Sequence, residues 1–183
     1  MQLHMVLSSK GMEARSEAPA PEGYSLRTFR EGDRDGWIGL MRSSGFESWS
    51  QDTLRHALAV SLPEGIFFFS HDATRELVGT AMAGHTATDL HPFGGELGWV
   101  GVSPQHRGKR LSLILCSRVV RRFLSAGYRE IYLQTDDWRL PAIKTYLNVG
   151  FVPLLCAPEM EERWRFVSKN LGLRYEELGA LGR

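Results

Sequence analysis

The chain lacks the sequence features that mark several classes of protein. Its 183 residues include two cysteines, Cys116 and Cys156, too few for a disulfide scaffold, and a domain of this size can bury a core without one. Neither sign of charge dominates, because 22 lysines and arginines stand against 21 acidic residues. That balance excludes the polybasic surface that bulk nucleic-acid or membrane binding requires. We therefore expect a cytoplasmic protein with no nucleic-acid or membrane partner.

Long apolar runs are also missing. No segment approaches the roughly 18 apolar residues that cross a membrane, and the apolar stretch near Met5 is too short for a secretory signal. Residues 1–22 are predicted to be a disordered leader, since Glu, Ser, Pro and Gly alternate before Tyr24. His85, His91 and Cys116 lack the spacing of metal ligands, so no metal is expected.

The remaining chain alternates strand and helix patterns in the order β-α-α-β-β-β-α-β-α-β-α. The longest helix is predicted to begin at Gly108 and end near Ala126-Gly127. This order predicts an α/β (α+β) domain of three layers on one mixed sheet, over residues 23–157. An amphipathic helix and tail are predicted over residues 158–183. The apolar face of that helix packs either on its own domain or against a partner in a possible homodimer; its members are Met160, Trp164, Val167 and Leu171.

The stretch ELGWVGVSPQHRGKRLSL, from Glu96 to Leu113, carries the strongest chemical signal. A hydrophobic strand enters a short basic loop, and a helix follows. This arrangement directs unpaired backbone N–H groups and the positive end of the helix dipole at one point, which favours a phosphorylated anion. The spacing of a nucleotide P-loop is absent, as is any GxGxxG.

Together with PAIKTYLNVGF (141–151), this stretch resembles the GNAT superfamily of acyl-CoA-dependent N-acyltransferases. Gln105 and Gly108 match the family's pyrophosphate signature, whereas Arg110 stands where Gly or Ala is usual. The resemblance implies a mostly antiparallel mixed sheet with splayed strands and helices on both faces, and acetyl-CoA as acyl donor. It also implies a set of cofactor-binding residues: Val100, Gly101, Val102, Gln105, His106, Arg107, Gly108, Lys109, Arg110, Leu111, Ser112, Arg139 and Ala142.

Two residues are predicted to be catalytic. Tyr146 stands where the family places the tyrosine that protonates the thiolate, and its alternative is an ordinary core aromatic. Glu96 coincides with the general base of some members, because burial can raise the pKa of a carboxyl enough to accept a proton from an amine. The alternatives are a solvated rim charge at Glu96 and a base at His91. Backbone N–H groups from Val100 to Val102 are predicted to hold the developing oxyanion.

Two arginines depart from the family's pattern. Because the family tolerates alanine at position 110, a positive φ is not expected there; the Arg110 side chain turns outward, binds phosphate or blocks the pocket. Arg139 replaces a common asparagine. We expect an N-acetyltransferase acting on a small-molecule amine by direct attack, and the alternative is an inactive module that binds acyl-CoA. Two loops are candidates for the acceptor pocket: 46–49, with Phe46, Glu47 and Trp49, and Asp136-Asp137-Trp138.

Overall fold

The computed structural model describes residues 1–8 and 18–182. Eight strands lie within these residues: β1 (Leu3–Leu7), β2 (Tyr24–Thr28), β3 (Ser61–His71), β4 (Leu77–Gly84), β5 (Gly95–Val102), β6 (Ile131–Thr135), β7 (Phe151–Leu155) and β8 (Leu181–Gly182). They form one sheet in the order β2-β3-β4-β5-β6-β1-β7-β8. Pairing is parallel between β5 and β6 and between β7 and β8, and antiparallel elsewhere.

Helices cover both faces of the sheet. They are α1 (Arg34–Ser43), α2 (Gln51–Val60), α3 (Leu111–Ser125), α4 (Leu140–Val149) and α5 (Met160–Leu171). One core joins the sheet to α3, α4 and α5, and a second core joins its other face to α1 and α2. The expected three-layer mixed sheet is confirmed. In the described residues, no helix is long and apolar enough to cross a membrane.

The N-terminal strand corrects the sequence prediction. Residues 1–22 were expected to be a disordered leader, yet β1 lies between β6 and β7 and pairs with both. Leu3 and Met5 are fully buried in the larger core. A five-residue strand carries too little pattern to be distinguished from a polar leader, because its stability comes from partners more than 120 residues away. The middle of the predicted leader, residues 9–17, lies outside the described residues.

The long helix shows why the core forms where it does. Leu115, Val119 and Phe123 recur at helical spacing on α3, and all three are fully buried against the sheet. The helix begins at Leu111, three residues later than predicted. A similar pattern on α5 buries Trp164 and Val167 in the same core. The apolar face of α5 therefore packs within its own domain, and the interpretation of it as a partner face is wrong.

The sheet opens between its two parallel strands. β5 and β6 pair only at Gly95–Ile131 and Glu96–Tyr132, so the strands separate beyond those positions. On its other side β5 carries a bulge, because two residues, Trp99 and Val100, stand opposite one residue of β4. Trp99 adopts a φ of 49°, which is strained for a bulky residue. The bulge and the separation together leave the end of β5 accessible from the side of α4.

Candidate active site

A cavity of about 810 Å³ occupies the opening in the sheet. Its walls are the end of β5, the loop after it, the first turn of α3 and one face of α4. Its volume is within the range of small-molecule and cofactor sites.

The loop before α3 presents a row of open donors. In the part of the chain that the structure describes, none of the amides from Gly108 to Leu113 donates to a backbone carbonyl. Gly108 has a φ of 77° and Arg110 a φ of 61°, and left-handed residues at such positions turn successive N–H groups toward one side. The positive end of the α3 dipole adds to this field. The arrangement can hold a diphosphate and so fits the donor group that the sequence predicts.

The backbone conformation of Arg110 differs from the prediction, and the position of its side chain excludes one of the three predicted arrangements. It was not expected to have a positive φ, but it is the residue before α3 and lies in the left-handed region. The reason lies in the path of the chain, because Arg110 is the residue at which the loop passes into α3 and it takes the left-handed conformation there. Its side chain is exposed while the residue borders the cavity, so Arg110 does not fill the pocket.

Most predicted residues do meet around the cavity. From the loop and α3 come His106, Arg107, Gly108, Arg110, Leu111 and Ser112. From β5, α4 and the residue before α4 come Val100, Gly101, Val102, Arg139, Ala142 and Tyr146. Their roles in binding stay predictions, but the sequence placed them at one site.

Two predicted binding residues lie outside the cavity wall. Gln105 accepts a hydrogen bond from the Ser103 hydroxyl at 2.9 Å, and the Lys109 ammonium lies 5.8 Å from the ring centre of Tyr24. Tyr24 also shares a hydrogen bond of 2.9 Å with Nδ1 of His106. These contacts fix the outer side of the loop and so help to hold its inner amides in place.

Tyr146 lies on α4 at the wall of the cavity and is 6% exposed. Burial raises the pKa of its phenol above the ordinary value, and the nearby Cys116 adds to the shift, whereas the Arg139 guanidinium opposes it. Burial also raises the pKa of the Cys116 thiol to about 12. Both groups are therefore protonated at neutral pH. A neutral phenol can give a hydrogen bond or a proton to an anionic sulfur beside it.

Glu96 lies on the opposite face of the sheet from α3. A Cβ on the neighbouring Gly95 would meet Phe123 of α3 at 2.4 Å, so alternation along the strand turns Glu96 toward α1 and α2. Burial raises the pKa of the Glu96 carboxyl, while a hydrogen bond with Thr86 and the charges of His56 and His91 lower it. The carboxyl has the raised pKa of a general base, but it lies outside the cavity wall, so this role stays a prediction.

The alternative base, His91, is held in a buried stack. It is 1% exposed, its ring lies 4.0 Å from that of Tyr132, and its Nδ1 is 2.6 Å from a Glu130 carboxylate oxygen. The His4 ring of β1 stacks beyond it at 5.9 Å. This histidine anchors the loop between β4 and β5 to the sheet beside Glu96.

Arg139 joins two loops across the cavity. Its guanidinium lies 4.1 Å from the ring centre of Phe46 and 4.3 Å from that of Trp138. It also donates to the carbonyl of Gly45 at 3.2 Å and to Asp136 at 3.2 Å. We call this set the Arg139 clamp. Because the guanidinium already has these four partners, the clamp leaves it poorly placed to act as a free phosphate ligand.

Of the residues predicted to form the acceptor pocket, Trp138 borders the cavity, whereas Trp49 and Asp137 make their contacts elsewhere. Trp49 is buried and packs on Trp99 of the bulge at 5.4 Å, and Asp137 forms an ion pair with Arg163, which lowers the pKa of that carboxyl. Trp138 borders the cavity and is 68% exposed.

Several residues at the cavity escaped the sequence analysis. On α4 they are Pro141, Lys144, Thr145 and Asn148, and elsewhere Leu113 and Ser44. Those on α4 follow from helical spacing once Ala142 and Tyr146 are placed on the same face. Ser44 has no such signal, because it reaches β5 from the end of a helix 57 residues earlier in the chain.

Comparison with known proteins agrees with this geometry. Residues 29–151 match the acetyltransferase (GNAT) family. The chain belongs to that family. This GNAT chain is 31% identical over 143 residues to a mycothiol acetyltransferase of Pseudarthrobacter chlorophenolicus, a match covering 74% of this chain and 44% of that protein. The chain thus spans less than half the length of that relative.

Solved structures share the GNAT fold. A tandem GNAT protein from the clavulanic acid biosynthesis pathway superposes with a TM-score of 0.63 at 21% identity, covering 82% of this chain and 49% of that one. An aminoglycoside N-acetyltransferase in complex with CoA superposes with a TM-score of 0.56 at 19% identity, covering 73% of this chain and 90% of that one. At these identities the likeness shows the fold alone.

Proposed function

We propose that this protein is an N-acetyltransferase that moves an acetyl group from acetyl-CoA to an amine of a small-molecule acceptor. The observation that carries the proposal is that Gly108 and residues 110–113, whose amides are open, border the same cavity as Tyr146. When bound, acetyl-CoA would supply a thioester whose C–S bond breaks as a C–N bond forms, while the amine loses one proton and the sulfur gains one.

The residues of the chain divide the work. The amides before and within the first turn of α3 bind the diphosphate, and the end of β5 lies where main-chain N–H groups can meet the acyl oxygen. Tyr146 gives its proton to the departing sulfur. Glu96, whose pKa is raised by burial, takes the proton of the amine directly or through water.

The acceptor is proposed to be a small amine because the relative that is 31% identical in sequence is named for a small molecule, as a mycothiol acetyltransferase. The near-neutral charge of the chain gives no support to a polyanionic acceptor.

The test has two stages. Calorimetric titration with acetyl-CoA should show saturable binding, and thiol release should then be measured across a panel of aminoglycosides, amino acids, polyamines and cysteine-containing amines. Release that depends on one class of amine supports the proposal. No saturable binding would reject it, and binding without release from any amine would instead favour an inactive acyl-CoA-binding module.

The kinetic order is a further part of the proposal. No Cys/His or Ser/His nucleophile arrangement stands out in the sequence, and the buried thiol of Cys116 stays protonated. We therefore expect sequential kinetics, with both substrates bound before transfer. Mass spectrometry after incubation with acetyl-CoA alone should show unmodified protein, and a stable acetylated form would contradict direct attack.

A further inference from the structure

Ser44 carries a buried hydroxyl that the fold itself does not use. It follows the last residue of α1, and its backbone N–H closes the helix on the carbonyls of Leu40 and Met41 at 3.0 and 3.1 Å. Its Oγ is buried and has no hydrogen-bond partner among residues 1–8 and 18–182. The neighbouring Ser43 behaves as serines at helix ends usually do, donating its hydroxyl to the carbonyl of Leu40 at 2.9 Å.

The Ser44 hydroxyl lies against the strand that borders the cavity. A Cβ on Gly101 would lie 3.1 Å from both Cβ and Oγ of Ser44, so the serine contacts β5 immediately after its bulge. Ser44 is itself part of the cavity wall, as is Gly101. The backbone around Ser44 is held in place. The Phe46 N–H donates to the Met41 carbonyl, and the carbonyl of Gly45, the residue after Ser44, accepts a hydrogen bond from Arg139.

A buried hydroxyl without a partner lowers the stability of the free protein, since it has lost its water and gained nothing in return. In the structure this hydroxyl is covered, so a ligand meets it after a rotation about the Cα–Cβ bond of Ser44, and a ligand that supplies the missing partner then recovers that loss on binding. Serine can donate one hydrogen bond and accept two. The partner must therefore be a polar atom that reaches the end of β5.

We propose that Ser44 is an acyl-binding residue that donates a hydrogen bond to the carbonyl oxygen of the acyl group. This inference rests on the proposed function. If the open amides hold the diphosphate and Tyr146 meets the sulfur, the end of β5 beside Ser44 receives the acyl group. An acetyl thioester presents one hydrogen-bonding atom there, its carbonyl oxygen, and Ser44 adds a side-chain donor to the main-chain donors of the strand.

The inference is tested by binding, with three probes that differ only at the acyl group. Acetyl-CoA has the carbonyl, S-ethyl-CoA keeps the two-carbon chain without it, and CoA has neither. In calorimetric titrations, Ser44→Ala should weaken acetyl-CoA binding about three- to tenfold, the range for one neutral hydrogen bond. Affinities for S-ethyl-CoA and CoA should stay within about twofold of wild type. The matched control is Ser43→Ala, which should leave all three affinities unchanged.

Thermal unfolding of the free variants gives a second readout. Removing an unsatisfied buried hydroxyl should raise the Tm of Ser44→Ala, whereas removing a structural hydrogen bond should lower that of Ser43→Ala. Should Ser44→Ala fail to fold, the serine is structural and the proposal is overturned. Ser44→Thr keeps the donor and should retain the preference for acetyl-CoA over S-ethyl-CoA.

Other outcomes separate the two proposals. Wild-type protein that binds neither acetyl-CoA nor CoA rejects the proposed function and this inference with it. Wild-type protein that binds all three probes, with Ser44→Ala unchanged or equally weakened for each, rejects the role of Ser44 alone.

Discussion

The guanidinium of Arg139 lies 4.1 Å from the ring centre of Phe46, and this contact joins the segment after α1 to the segment before α4. These segments belong to opposite faces of the sheet and meet only because β5 and β6 separate beyond Glu96. The Arg139 clamp therefore spans the opening in which the cavity lies.

Replacing Arg139 with lysine should lower the free energy of unfolding by about 1–2 kcal/mol, because lysine keeps the charge but not the planar group that stacks on Phe46 and Trp138. Urea unfolding would measure the change. Exposed Arg129 provides the control, and Arg129→Lys should be neutral within about 0.5 kcal/mol. An Arg139→Lys protein as stable as wild type would show that the stack contributes nothing.

Tyr146→Phe should lower kcat by about 10²-fold or more, the usual contribution of a general acid, and leave the affinity for acetyl-CoA nearly unchanged. Steady-state kinetics and calorimetry on the same preparations would separate the two effects. The matched control is Tyr128→Phe, because the Tyr128 hydroxyl binds His85 away from the cavity. Equal turnover in wild type and Tyr146→Phe would remove Tyr146 from catalysis.

Glu96→Gln should stabilise the protein at neutral pH while reducing its turnover. A carboxyl whose pKa is raised on folding stabilises the fold fully below its unfolded pKa, and this contribution is lost as the pH rises through the folded pKa. Glutamine resembles the protonated form at every pH. The stability difference between variant and wild type should therefore be near zero at about pH 4 and grow as the pH rises.

Thermal unfolding between pH 4 and pH 8 would measure that difference, with exposed Glu22→Gln as control. The activity of the wild type should rise with pH over the same interval, because the base must be ionised. Stability curves for Glu96→Gln and wild type that run parallel would refute a raised pKa.

Position 110 should prefer glycine to alanine by about 1 kcal/mol, the reverse of the usual order, because the left-handed backbone penalises a Cβ. Comparing urea unfolding of Arg110→Gly and Arg110→Ala would test this, and both changes remove the same charge. If alanine is the more stable, the loop before α3 has another conformation in solution.

Met5→Ala should lower the free energy of unfolding by about 2–5 kcal/mol, as expected for a fully buried side chain in a core. Met1, which is 72% exposed in the same segment, is the control and should cost under about 0.5 kcal/mol. A Met5→Ala protein of unchanged stability would mean that β1 does not hold the sheet together.

The features that could be predicted from the sequence are those that a local sequence pattern determines. The stripe Leu115, Val119 and Phe123 fixes one face of α3, and Gly108 in a basic loop before that helix marks the open amides. Both features lie within a few turns of the chain, where periodicity and helix-end chemistry are informative.

What could not be predicted depends on partners that are distant in the chain. The left-handed backbone at Arg110 is imposed by the path between β5 and α3, since arginine has no preference for it. The contact of Ser44 with Gly101 exists only once α1 has packed on the sheet. The clamp requires two loops about 90 residues apart, and no feature of either loop alone implies the other.

The position of β1 between β6 and β7 affects when the sheet can be completed during synthesis. It is synthesised first of the three but needs both neighbours, so it waits on the order of ten seconds at a translation rate of roughly 5–20 residues per second. During that interval β1 and, once it has been made, the edge of β6 are open to other chains. The nascent protein therefore depends on a late, long-range insertion step, and contacts of this kind make folding slow.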